Sequence, residues 1–149
     1  MALVVTAPLA GAVMPLADVP DPVFAEALVG PGVAIRPDDE AHVAVAPVAG
    51  RLVKLKPHAF VVVDGEGRAV LVHLGIDTVK LSGDGFTVLA SEGQEVHAGD
   101  PVVRWDPLGV AQRGLSPFCP VVALDATSDA IANPASGHIA VGDALFTWA

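Results

Sequence analysis

Apolar residues in this chain fall in short runs, each closed by glycine, proline or an acidic turn. Ala12-Val13-Met14, Arg51-Leu52-Val53-Lys54-Leu55, Val102-Val103-Arg104-Trp105 and Ala144-Leu145-Phe146-Thr147-Trp148 are examples. Thirteen prolines and fifteen glycines supply the punctuation. Many short strands separated by regular turn signals predict an all-β fold, an antiparallel sandwich or barrel. Helix is expected only as short turns, around Pro22 to Leu28, near Pro107 to Gln112 and at Ser128 to Ala132.

The most informative run is Pro57 to Asp77. Two apolar, β-branched stretches, Phe60-Val61-Val62-Val63 and Arg68-Ala69-Val70-Leu71-Val72, flank Asp64-Gly65-Glu66-Gly67. That is the pattern of a β-hairpin. A two-residue turn at Gly65-Glu66 and a four-residue loop from Asp64 to Gly67 share one centre, and both place His58 directly across from His73. Opposed residues on antiparallel strands have Cβ atoms about 4.5–5.5 Å apart. The expectation is a pair of imidazoles side by side on strands that otherwise read as core. A buried imidazole must find partners for both ring nitrogens, so two at matched positions point to a site.

Composition narrows the class. The 149 residues suit one domain spanning 1–149, and 52% apolar with 17% charged residues is globular rather than disordered. A net charge of −9 argues against nucleic acid as a partner. One cysteine, Cys119, allows no internal disulfide and suits a reducing, cytoplasmic setting; flanked by Phe118 and Pro120, it reads as a small core residue. No run is long enough to span a bilayer as a helix, and no signal segment is visible. His42, His97 and His138 lie near expected turns and read as surface residues.

Two pairs of segments repeat. Ala7-Pro8-Leu9-Ala10-Gly11 resembles Ala46-Pro47-Val48-Ala49-Gly50, and Val96-His97-Ala98-Gly99-Asp100 resembles Ile139-Ala140-Val141-Gly142-Asp143. Each Gly-Asp supplies a turn between apolar strands. The repetition predicts a pseudo-symmetric β architecture. It is not a solenoid, because each motif occurs only twice.

These segments carry a resemblance. Together with Asp18-Val19-Pro20-Asp21-Pro22-Val23-Phe24, Gly30-Pro31-Gly32-Val33-Ala34-Ile35 and above all Val72-His73-Leu74-Gly75-Ile76-Asp77-Thr78-Val79-Lys80-Leu81, the chain resembles the glucose-type enzyme IIA of the bacterial phosphoenolpyruvate-dependent sugar phosphotransferase system. The likeness runs nearly end to end, and its implied fold is a duplicated hybrid motif. The implied function is a phosphoryl relay in the cytoplasm without cofactor or metal. A carrier protein, HPr, phosphorylates a histidine of the IIA protein, which passes the group to a cysteine on the IIB domain of a sugar transporter. The accepting histidine is matched by His73, phosphorylated on Nε2, and its supporting histidine by His58. The carbonyl matching Gly75 accepts a hydrogen bond from the acceptor's other nitrogen. Asp21, Val23, Phe24, Leu71, Asp77 and Val79 match the partner-facing surface. Specificity for the sugar lies in a membrane domain that is not in this sequence.

The chain departs from the family's pattern at Lys56, where a threonine is usual, and in a loop after Gly50 that is two residues shorter. The amphipathic N-terminal tail of some relatives is also expected to be missing. Two further readings compete. Relatives of this type regulate transporters and metabolic enzymes through the same face, so a phosphorylation-dependent binding protein is one alternative. The other is a zinc endopeptidase of the LytM type, since His73-Leu74-Gly75-Ile76-Asp77 has its His-x-x-x-Asp spacing. Zinc hydrolysis needs about three protein ligands and an open position, and the His-x-His element is lacking because Leu71 stands two before His73.

Overall fold

The structure, a computed structural model, describes residues 2–149. Its strands are β1 (Leu3–Thr6), β2 (Gly11–Pro15), β3 (Gly32–Pro37), β4 (Val43–Val45), β5 (Gly50–Lys56), β6 (Ala59–Val63), β7 (Ala69–His73), β8 (Phe86–Val88), β9 (Glu95–Val96), β10 (Pro101–Trp105), β11 (Cys119–Ala123), β12 (Ile131–Ala132), β13 (His138–Ile139) and β14 (Ala144–Trp148). They form one large antiparallel sheet of order β13-β2-β3-β11-β7-β6-β5-β9 and two small ones, β1-β14-β12 and β4-β10-β8. The large sheet ends on two different strands, so it stays open and the barrel alternative falls away. Among the described residues, helix is limited to α1 (Pro22–Ala25), α2 (Pro107–Gln112) and three short 3-10 turns. The Ser128 to Ala132 helix expectation is half right: Ser128–Ala130 is a 3-10 turn, and Ile131–Ala132 instead pairs with β14.

Alternation along the central strands sets the layers. Phe60 and Val62 on β6, Val70 and Val72 on β7, Cys119 and Val121 on β11 and Ile35 on β3 all face the main core, joined there by Val5, Val103, Trp105, Leu145 and Phe146 from the small sheets. The intervening residues Ala34 and Val122 face the other way. On that outer face they pack with Leu16, Val19, Phe24 and Ile76, with Leu71 alongside, in a second, smaller cluster. Position 73 falls on this outer face, next in phase to Leu71. A sheet with two covered faces explains why its strands are apolar at nearly every position.

The repeats pack against each other. Thr6 N–H donates to Pro47 O at 2.9 Å, and Val45 N–H to Pro8 O at 2.9 Å. Ala7 exchanges backbone bonds with Gly142 and Asp143, and Ala46 does the same with Gly99 and Asp100. Asp143 also accepts from Ala140 N–H at 2.9 Å, as Asp100 does from His97 N–H at 2.8 Å. The two halves thus use equivalent bonds at equivalent positions, which is a pseudo-twofold arrangement.

The hairpin register differs by one from the expected one. Ala59 stands opposite His73 and Val63 opposite Ala69. The reason is Asp64, whose carboxylate accepts the backbone N–H groups of Glu66 and Arg68 at 3.0 and 2.8 Å and the Arg68 Nε–H at 2.9 Å. Asp64 and Arg68 thereby close a three-residue loop with Gly67 at φ 83°, the left-handed position such loops require. Burial alone would raise the Asp64 carboxyl, but the Arg68 and Glu66 amides and the Arg68 guanidinium outweigh it and hold it below its usual value.

Candidate functional site: a histidine pair on the outer sheet face

His73 ends β7 on the outer face, partly buried. His58 lies in no strand: with Pro57 it forms the tight turn that joins β5 to β6, where Lys56 pairs with Ala59. Strict alternation in the observed register would send residue 58 toward the main core, on the opposite face from His73. The turn releases it from that alternation. The two imidazoles meet after all, with centroids 5.3 Å apart and planes at 70°. The backbone locks this meeting, because Leu74 N–H donates to His58 O at 2.7 Å.

Phe24 closes the other side of His73, 5.2 Å between centroids and tilted by 58°. It reaches there because Asp21 caps α1, accepting Val23 N–H at 2.9 Å, while Pro22 starts the helix at its favoured first position. Phe24 is only 7% exposed and belongs to the second cluster, so it is a wall of the site rather than a protruding anchor. Val23 and Val79 are exposed, Asp77 is exposed, and Leu71 and Asp21 are half-buried. All of these lie on segments flanking the histidine pair.

The ring of His73 is held by one short hydrogen bond, Nδ1–H to Gly75 O at 2.5 Å. A carbonyl can only accept, so the proton is on Nδ1 and the neutral ring carries its lone pair on Nε2. Burial pushes the pKa of His73 below 6.5; the Gly75 carbonyl and the carboxylates of Asp21 and Asp77 offset this only in part. Burial also lowers His58, helped by the charges of His73 and Lys56. Both rings are therefore neutral at neutral pH. The exposed Lys56 acts here as a cation bearing on His58.

Gly75 aims its carbonyl through its neighbours. Its φ is 82°, and a Cβ there would lie 2.6 Å from Thr78 Cγ2 and 3.0 Å from Ser116 O, so glycine is required. The Gly75 carbonyl and the Ile76 N–H belong to one planar peptide and point in opposite directions. Ser116 O takes the Ile76 N–H at 2.8 Å, which turns the carbonyl toward His73. Neither Ser116 nor Thr78 was legible as a site residue in the sequence. Ser116 acts through its backbone and gave no signal. Thr78 gave one, as a hydroxyl five positions after His73 inside an apolar motif.

Other histidines lie elsewhere: His42 bonds the Trp105 carbonyl, His97 is exposed, and His138 pairs with Asp38 at 2.7 Å. Cys119 is fully buried, and burial pushes its thiol up to about 12; it is a core residue without thiolate character. Among the described residues, no three His, Cys, Asp or Glu side chains gather as a zinc hydrolase would need. Among the described residues no helix is long and apolar enough to cross a membrane.

A paired, tautomer-fixed imidazole on an outer sheet face suits a transferable group carried on nitrogen. Comparison with known proteins gives the family. Residues 3–129 match the family described as phosphoenolpyruvate-dependent sugar phosphotransferase system, EIIA 1, and the chain belongs to that family. The PTS system glucose-specific EIIBCA component of Corynebacterium glutamicum is 41% identical over 122 residues, a match that covers 82% of this chain and 18% of that protein. This chain therefore spans only a small part of that relative's length. The glucose permease IIA from Mycoplasma capricolum superposes with a TM-score of 0.92 at 35% identity, covering 99% of this chain and 96% of that one.

Proposed function

We propose that the phosphoryl group is carried on Nε2 of His73, taken from phospho-HPr and handed to the IIB domain of a glucose-family transporter in the cytoplasm. The observation that carries this reading is the Nδ1–H to Gly75 carbonyl bond, which leaves the nucleophilic lone pair on Nε2. In the first transfer the donor's N–P bond breaks as the Nε2–P bond forms, and the proton stays on Nδ1, donated to the Gly75 carbonyl throughout. In the second, the Nε2–P bond breaks as a bond to the IIB cysteine sulfur forms. His58 lies within reach of the transferring oxygens and donates to them, stabilising charge on the phosphoryl group.

Val23 and Val79 form the apolar part of the docking surface, with Asp21 and Asp77 as its acidic rim, complementary to a partner bearing arginines. Both exposed valines flank the histidine pair, which supports one face serving donor and acceptor in turn. The test is incubation with phosphoenolpyruvate, enzyme I and HPr, followed by intact-mass analysis. The wild-type chain gains one acid-labile, base-stable phosphoryl mass and His73→Gln gains none. A phosphoryl gain that persists in His73→Gln overturns the assignment.

A further inference from the structure

Among the described residues, Thr78 is the one buried polar or charged side chain, with 0% of its surface exposed. A hydroxyl taken out of water must be paired. Thr78 Oγ1–H donates to Leu74 O at 2.7 Å, four residues back. That carbonyl belongs to the peptide joining Leu74 to Gly75. The next peptide, joining Gly75 to Ile76, is held by Ser116 O. Gly75 is the swivel between the two planes, so both must be fixed for its carbonyl to aim at His73 Nδ1. The methyl group of Thr78 closes over the Gly75 Cα from the same side. Leu74 N–H meanwhile binds His58 O, so the residue that Thr78 grips also connects the two histidines.

We propose that Thr78 is a positioning residue for phosphoryl transfer: its buried hydroxyl fixes the Leu74–Gly75 peptide, and through it the tautomer and aim of the His73 ring. Valine at this position keeps the shape but cannot hold the Leu74 carbonyl. The turn then relaxes, the Gly75 carbonyl loses its alignment with Nδ1, and the ring populates both tautomers. Serine keeps the hydroxyl and only loses the methyl group. The proposal rests on His73 being the phosphoryl acceptor, but its first readout does not.

That readout is nitrogen-15 NMR of the histidine-labelled 149-residue chain at about pH 8, where the rings are neutral. The wild type and Thr78→Ser should show His73 with a protonated Nδ1 and a bare Nε2, whereas Thr78→Val should shift both nitrogens toward the averaged values of mixed tautomers. Phosphorylation by phospho-HPr should fall about tenfold in Thr78→Val, the factor one ordinary hydrogen bond's worth of orientation represents, and recover in Thr78→Ser. Val103→Ala, in the main core, serves as the stability control and should leave the tautomer untouched. If Thr78→Val does not fold, Thr78→Ala, which removes both hydroxyl and crowding, replaces it with the same expectation. An unchanged His73 tautomer in the hydroxyl-free variant overturns the proposal, as does an equal shift in Val103→Ala. A wild-type chain that gains no phosphoryl group overturns the acceptor reading instead, and the tautomer comparison still decides the role of Thr78.

Discussion

The rings of His58 and His73 meet 5.3 Å apart although no ladder position pairs these two residues. Their contact depends on a two-residue turn placing His58 beyond the end of β6, and on a backbone bond from Leu74 to the His58 carbonyl. This arrangement gives the histidines unequal settings. His73 is fixed by the Gly75 carbonyl, whereas His58 sits on a turn.

The unequal settings predict unequal variants. His58→Gln should still accept phosphoryl from HPr, since the nucleophile remains, but should discharge to IIB slower by about 10²–10³, the usual cost of one charge-stabilising donor. His73→Gln should do neither. Single-turnover measurements of loading and discharge separate the two. Equal failure of both variants at loading would show that the roles are not divided, and wild-type discharge by His58→Gln would make it a structural histidine.

Gly75→Ala tests the aim of the carbonyl. At φ 82° an alanine costs about 1–3 kcal/mol from backbone strain alone, and its Cβ crowds Thr78 Cγ2 besides. The expected result is a lower urea midpoint together with a phosphorylation rate reduced by more than the stability loss explains. A variant with wild-type stability would mean that the turn relaxes freely.

Acid should weaken the fold through both histidines. Their folded pKa values lie below the ordinary 6.5, so between the folded value and 6.5 the unfolded chain binds more protons. The stability carried by the neutral rings is complete above 6.5 and is lost as pH falls from there through the lowered folded values. Urea midpoints measured across this window should drop for the wild type more than for the His58→Gln, His73→Gln double variant. Parallel curves would contradict the burial argument.

The pseudo-twofold makes a quantitative prediction. Asp100→Ala and Asp143→Ala each remove one carboxylate hydrogen bond to a backbone N–H three residues back; Asp100 also loses a 3.7 Å contact with the exposed His97 ring, which contributes little in water. Each should cost about 0.5–1.5 kcal/mol, and the two costs should be equal within error by denaturant titration. A large inequality would show that the halves bear load differently.

The sequence was most legible where the physics is local. Alternating apolar runs placed β5, β6, β10 and β14 within a residue or so, and Pro107 to Gln112 formed the expected helix because proline opens it. The repeated Ala-Pro-x-Ala-Gly and Gly-Asp motifs announced a pseudo-symmetry whose exchanged bonds only the fold displays. The hairpin register failed by one because the Asp64 carboxylate, rather than the Gly-Glu pair, decides the loop. That error carried no penalty for the histidine contact, since turn residues escape strand alternation. Ser116 was invisible because a backbone carbonyl brought in by chain reversal leaves no side-chain mark. The resemblance placed Phe24 on the partner-facing surface, and its place as a buried wall of the site follows from α1 folding back over the sheet.

Strand β1 finds its partner in β14, Leu3 facing Trp148. During synthesis β1 leaves the ribosome long before β14, the strand that completes it. Until then Val5, a core residue with no exposure in the finished fold, has no ladder to join, and Thr6 has only the distant Pro47 to hold it. Closing so wide a loop is slow, because its entropy is spent before the contacts form. The outer sheet face that carries His73 is assembled from nearer neighbours, β6, β7 and β11. The histidine pair should therefore be built before β1 and β14 meet.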